Sequence, residues 1–165
     1  MKANSGFTLV ELLIVMAIAA ILAFIAVPNF WQFIQNTRST TQANELVTAM
    51  NLARSEASKR GALVEVCAST DQQNCDGNDW TDGWIVRVLD DPDAVLRVWD
   101  PLPDTTQTDQ RNGGNALSFT PRGELHEASG AWELDLWVEG CAGEHLRRIR
   151  VHLAGRPSVA RLDCP

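Results

Sequence analysis

The sequence predicts an α+β fold, with a long N-terminal α-helix packed on an antiparallel β-sheet or small β-sandwich. Two observations carry this. Leu12 to Val27 contains no polar or charged side chain, and an amphipathic helical pattern follows it to about Arg60. From Leu63 onward the apolar period changes to two, in short runs separated by Asp, Asn, Gly and Pro clusters. One helix followed only by strands reads as α+β rather than as alternating βαβ units.

The helix opens at Gly6-Phe-Thr-Leu-Val-Glu11. The apolar run is marginal for a bilayer crossing, which takes ~20 residues, but Phe7, Leu9 and Val10 extend it upstream. Glu11 is the odd residue, because a carboxylate in such a segment is costly and usually functional. Thr8-x-x-Glu11 also has the form of a capping box. An ordinary secretory signal fits poorly. It needs a basic start and a small-residue cleavage site after the apolar stretch. Lys2 is the single basic residue ahead of the run, and Ala17-Ile18-Ala19 is the nearest such site; cutting there leaves apolar sequence running on to Val27.

Beyond Pro28 the helical pattern resumes. Leu46, Met50, Ala53 and Ala57 form one face with Val47 beside them, and Asn44, Thr48, Asn51 and Ser55 lie opposite. Lys59-Arg60-Gly61 ends the helix, with cations at its negative end and a glycine after it. Seven short strands are then expected, at Leu63–Ala68, Trp84–Leu89, Val95–Trp99, Ala116–Phe119, Trp132–Val138, Leu146–Leu153 and Val159–Leu162. The polar segment Asp100–Gly114 reads as a long loop.

The chain has 165 residues and a formal charge of −7. After an anchor of about thirty residues there is room for one globular domain. The acidic balance argues against wholesale binding of nucleic acid, yet residues 145–165 hold five arginines against one acid. Four cysteines, Cys67, Cys75, Cys141 and Cys164, follow the anchor. An even count behind a translocation signal fits disulfides in an oxidising compartment. Three pairings are open; Cys67–Cys75, closing a short loop, and Cys141–Cys164, pinning the C-terminus, are favoured. A zinc site would have only Cys141-x-x-x-His145 to build on, so no metal and no cofactor are expected.

The opening residues carry a specific resemblance. Gly6 followed by Phe7-Thr8-Leu9-Val10-Glu11-Leu12-Leu13 resembles the class III leader of type IV prepilins. Ala53-Arg54-Ser55-Glu56-Ala57, the W-x-x-G-W of Trp80-Thr81-Asp82-Gly83-Trp84, and Phe119-Thr120-Pro121-Arg122-Gly123 are similar to stretches of the GspH/FimT branch. On these residues the chain is identified as a pilin-like member of the GspH/FimT/FimU family. The resemblance implies a leader at 1–6 that a prepilin peptidase removes after Gly6, and N-methylation of the new N-terminus, Phe7. It implies a filament-core helix over 7–28 kinked at Pro28, an amphipathic continuation over 29–61 and a periplasmic domain over 62–165. Glu11 of one subunit would neutralise the Phe7 amine of a neighbour and set axial register, which lets both charges leave water.

The implied partners are other minor pilins, the major pilin and the inner-membrane assembly platform. The implied location is the bacterial inner membrane, single-pass, and then the pilus, at its tip. The function expected is a minor pilin in type IV pilus assembly. A minor pseudopilin of a type II secretion system is the alternative with the same fold.

No enzyme motif appears: no G-x-S-x-G, no H-E-x-x-H and no phosphate loop. Asp76-Gly77-Asn78-Asp79 lacks the order and distal Glu of a calcium loop and reads as a solvated turn. In Leu146–Leu153, alternation puts Ile149, Val151 and Leu153 on one face and Arg148, Arg150 and His152 on the other. That second face, extended by Arg156 and Arg161, is a candidate stripe for DNA or an acidic partner. In the FimT branch a C-terminal G-R-x-R is associated with DNA binding for uptake. Here Gly155 and Arg156 match it, but Ser158 stands in place of the second arginine, which removes one phosphate contact.

Overall fold

The computed structural model describes residues 8–165. Gly6, Phe7 and the expected leader at 1–6 therefore lie outside the described residues. Helix α1 (Leu9–Arg60) is continuous through Pro28. The molecule divides into two units at Ile34/Gln35.

In the first unit the helix is exposed along its length, from Leu9 to Phe33. Such a surface is as apolar as a helix that faces lipid or other helices. Pro28 has no N–H, so the Phe24 carbonyl loses its helical donor. The neighbouring Asn29 Nδ2 donates to the Ile25 carbonyl at 2.9 Å.

In the second unit the helix buries Ala43, Leu46, Ala49, Met50, Ala53 and Ala57. Small residues recur on this stripe, which lets the sheets approach closely. Asn44, Thr48, Asn51 and Ser55 face water, as the pattern requires. Eight strands follow: β1 (Val64–Ala68), β2 (Trp84–Val88), β3 (Asp91–Trp99), β4 (Thr106–Asn112), β5 (Ala116–Phe119), β6 (Trp132–Val138), β7 (Leu146–Val151) and β8 (Pro157–Leu162). They form two antiparallel four-stranded sheets, ordered β3-β2-β1-β5 and β4-β6-β7-β8. Val64, Val66, Trp84, Val86 and Phe119 of the first sheet share one core with Leu134, Leu136, Ile149 and Val151 of the second. The α1 stripe packs into that same core.

Three expectations are corrected. The segment Asp100–Gly114 is not a loop, because it contains β4. Its side chains are polar on both faces, so no period of two shows in its hydropathy. The inward ones are held by specific partners: Gln42 Nε2 donates to Thr106 Oγ1 (2.9 Å), Thr108 Oγ1 to Asp79 Oδ1 (2.5 Å) and Trp80 Nε1 to Gln110 Oε1 (3.0 Å). Second, β3 starts at Asp91 rather than Val95. It is an edge strand, where the missing N–H of a proline costs no ladder bond. Third, β7 ends at Val151, and Leu153 sits half exposed in the turn before β8 rather than on the buried face. Its carbonyl accepts from Leu125 N–H at 3.0 Å, which ties the turn to the preceding loop.

Candidate functional site

The N-terminal end of α1 is closed by its own side chains. Thr8 Oγ1 accepts from Glu11 N–H at 3.2 Å, while Glu11 Oε2 accepts from Thr8 N–H at 3.0 Å and from Thr8 Oγ1 at 2.9 Å. This is the capping box read from Thr8-x-x-Glu11, and it satisfies N–H groups that have no helical acceptor. The bonds from Thr8 go to Oε2, and among the described residues no donor meets Oε1, so capping and pairing with another subunit are compatible. From Leu12 to Thr37 no ionisable side chain follows.

The cysteines join as Cys67–Cys75 and Cys141–Cys164. The first bond ties the loop after β1 to that strand; the second fastens the chain end, beyond β8, to the turn before β7. Glu65, Cys67 and Cys75 bring three potential metal-ligand atoms within 4.8 Å of one another, but both sulfurs are consumed by the disulfide. Cys141 is likewise unavailable to join His145 as a thiolate. In the acidic loop the carboxylates hold the loop itself. Asp71 accepts from the N–H groups of Asn74 (2.7 Å) and Gln73 (2.8 Å), and these bonds, with that from the Asn74 amide, bring its pKa down to about 2. Asp76 accepts from Thr70 N–H and Oγ1, and its pKa is lowered by those two bonds.

The basic C-terminal face is built differently from the expected stripe. Arg148 and Arg150 do share the outer face of the second sheet. Register puts each opposite an acid, Arg148 against Asp135 and Arg150 against Glu133. Arg148 Nε and Nη2 bind the two Asp135 oxygens at 2.6 and 2.7 Å, and Arg150 Nη2 reaches Glu133 Oε1 at 2.5 Å. Arg111 is the extra residue of a bulge in β4, and it joins Asp135 at 2.8 Å and Asp109 at 3.2 Å. Three arginines thus meet three carboxylates. Burial raises the pKa of Asp135, but the bonds from Arg148 and Arg111 outweigh it and hold the carboxyl below its usual range. The face is close to neutral, and that changes what it can bind.

Arg161 does not extend the stripe. It pairs across the strands with Arg147, on the opposite face from Arg148 and Ala160. Arg147 itself is 2 % exposed and carries no carboxylate partner among the described residues. Its guanidinium donates to Asn36 Oδ1 and Thr40 Oγ1 of α1 and to the Glu144 and Leu146 carbonyls. Burial lowers its pKa, and the Arg161 charge adds to that. His152 and Arg156 are exposed at the turn. Sequence reasoning missed Asp135, Glu133, Arg111 and the inward Arg147. The acids alternate along β6 on one face, but only the register shows that the arginines stand against them.

The motif stretches converge on backbone. In Trp80-Thr81-Asp82-Gly83-Trp84, a 3-10 turn (Trp80–Asp82) is capped by Asp79, and Gly83 takes φ 98° before β2 begins. A Cβ there would lie 2.8 Å from the Trp99 carbonyl oxygen. Trp80 packs edge-on to Trp132 at 5.2 Å, and Trp84 stacks on Trp99 at 6.1 Å. The Gly123 carbonyl accepts from Arg54 Nε of α1 at 3.1 Å. The same oxygen lies 1.8 Å from where a Cβ on Gly155 would be. Gly155, φ 72°, is therefore a glycine for close approach, whatever Arg156 does.

An exposed helix opened by a self-capping Glu, without charge from Leu12 to Thr37 and continued into a disulfide-braced two-sheet domain, is the pilin fold. The family model "Type II transport protein GspH" matches residues 42–155, and the prokaryotic N-terminal methylation motif matches residues 1–27. The chain belongs to the GspH family. It is 37% identical over 173 aligned positions to a fimbrial protein of Pseudomonas aeruginosa, covering 100% of this chain and 99% of that one. In structure it is similar to the Pseudomonas aeruginosa type IV minor pilin FimU, with a TM-score of 0.62 and 23% identity over 75% of this chain and 89% of that chain. It is also similar to EpsH, the minor pseudopilin of the Vibrio cholerae type 2 secretion system, with a TM-score of 0.51 and 16% identity over 76% of this chain and 97% of that chain. The last two likenesses concern the fold.

Proposed function

We propose that the protein is a minor pilin that takes part in type IV pilus assembly, in a tip or priming complex. The observation that carries this reading is the N-terminal segment: an exposed helix that opens on Thr8 and Glu11, has no further charge from Leu12 to Thr37 and begins within a methylation motif over residues 1–27. A prepilin peptidase cuts after Gly6, and Phe7 becomes the methylated N-terminus. Glu11 keeps its cap to Thr8 and offers its remaining oxygen to the Phe7 amine of a neighbouring pilin. The pairing neutralises two charges in an apolar bundle and fixes the axial step between subunits. Before assembly the chain sits in the bacterial inner membrane as a single-pass protein, with the β-rich domain in the periplasm. There it meets the assembly platform, other minor pilins and the major pilin.

The test is a count of surface pili in a deletion strain beside a complemented one. Pili should be lost and then restored by the intact gene but not by Glu11→Ala. Unchanged pili with a defect in protein secretion would give the role to a type II secretion system instead.

DNA binding for uptake is a second reading, supported by the exposed Arg156 after Gly155. It has less to work with than the sequence promised, since Arg148 and Arg150 are matched by acids and Arg161 faces the other way. Salt-sensitive DNA retention that Arg156→Ala abolishes would support it.

A further inference from the structure

The end of the apolar segment has a composition of its own. After Pro28 the chain reads Asn29-Phe30-Trp31-Gln32-Phe33-Ile34-Gln35-Asn36, mixing aromatic and amide side chains, and Arg38 is the first charge after Glu11. Phe30, Trp31 and Phe33 are all strongly exposed on the helix, at 63%, 58% and 65%. None of the three is among the residues of the buried core. Tryptophan collects at the membrane–water boundary, because its ring is apolar and its N–H is polar, and the adjacent phenylalanines add apolar area on the lipid side of that ring.

Helix length sets the second half of the argument. Trp31 lies 20 positions after Glu11 on one continuous helix. At a rise of ~1.5 Å per residue that is about 30 Å, the thickness of the hydrocarbon core. Placing Trp31 at one boundary therefore places Glu11 at the other.

We propose that Phe30, Trp31 and Phe33 form a belt seated at the headgroup–acyl boundary of the periplasmic leaflet, so that Glu11 rests at the cytoplasmic boundary. The occupant of this surface is the phospholipid bilayer itself. The inference rests on the membrane-anchored reading and refines it. The unassembled subunit then holds no carboxylate inside the hydrocarbon. Its Thr8–Glu11 cap stays within reach of water and headgroups, and the charge enters an apolar setting only when a neighbour supplies the opposite one. The arrangement also fixes how deep the helix sits, because sliding it by two turns in either direction would draw Glu11 or the polar side chains of Gln32, Gln35 and Asn36 into lipid.

The experiment uses the full chain reconstituted in phosphatidylcholine/phosphatidylglycerol vesicles carrying nitroxide labels near the headgroup or deep in the acyl chains. Subtracting the emission of Trp31→Phe from that of the unaltered chain isolates Trp31 from the five tryptophans of the β-rich unit. Ile21→Trp in the Trp31→Phe background gives a mid-span reference. Trp31 emission should be quenched more by the shallow label than by the deep one, and the mid-span tryptophan the reverse. A floating, membrane-bound chain whose Trp31 is quenched most by the deep label, or only by aqueous iodide, overturns the belt and leaves the anchor standing. A chain that does not float with the vesicles overturns the anchor and the belt together.

Discussion

Arg148 and Asp135 face each other across β7 and β6, joined by two hydrogen bonds of 2.6 and 2.7 Å to the two carboxylate oxygens. Asp135 is 0% exposed and also receives Arg111, so it is the hub of the outer face. A charge-assisted, bidentate pair of this kind fixes orientation as well as energy. It also converts a cationic stripe into a nearly neutral surface.

Replacing Asp135 tests that account. Asp135→Asn keeps the volume but leaves Arg148 and Arg111 without their shared charge. Stability should fall by about 2 kcal/mol in urea titrations, since Arg148 and Arg111 are partly solvated and recover some hydration. Combined with Glu133→Gln it should raise DNA retention at low salt, measured on a DNA column. Unchanged retention would mean that the acids are not what restrains the arginines.

The loop carboxylates give an acid signature. Asp71, drawn down to about 2 by N–H groups of the loop, should titrate far below ordinary carboxylates in an NMR experiment. A depressed folded-state pKa contributes stability above the unfolded value, and that stability is lost as pH falls through the folded value. The stabilisation that Asp71 gives the segment from Ser69 to Asp76 should therefore decline progressively between ~pH 4 and ~pH 2, with the Asp71 carboxylate still ionised in the folded loop while groups with ordinary values near 4 protonate. Asp71→Asn should move loosening of this loop to higher pH.

The two disulfides should differ in what they hold. Cys67 and Cys75 are 8 residues apart and Cys141 and Cys164 are 23 apart. Chain entropy then puts the losses on double Cys→Ser replacement at about 2.5 and 3.5 kcal/mol. Hydrogen exchange should rise mainly in the 69–79 loop for the first pair and in β8 for the second. Equal effects across the whole domain would contradict this division.

Gly155 and Arg156, adjacent in sequence, should separate cleanly by mutation. Gly155→Ala meets the Gly123 carbonyl and a left-handed φ at once, and should cost about 2–3 kcal/mol, read as a lowered Tm. Arg156→Ala is an exposed change and should leave Tm within about 1 °C. A fold that tolerates Gly155→Ala would remove the structural explanation of this glycine.

Several elements were legible because their signals are local. The helix to Arg60 followed from its periodicity and its end residues, and Trp132–Val138 and Ala116–Phe119 from alternation between turns. The capping box is a spacing of three within one helical turn. β4 was not legible, since a strand without apolar side chains has no period to show, and its partners on the Trp80–Asp82 turn and α1 lie far off in the chain.

By itself, then, the sequence determined a long helix with an apolar first half, a β-rich remainder and the residues that begin the helix, because each depends on neighbours a turn or a strand away. Tertiary structure alone decided the charge of the C-terminal face. Whether an arginine is free or neutralised depends on strand register, which brought Asp135 and Glu133 opposite Arg148 and Arg150 and set Arg161 beside Arg147 on the other face. Register is set by the apolar face each strand must bury and by the turns that join the strands, so which acid meets which arginine depends on two stretches of the chain at once.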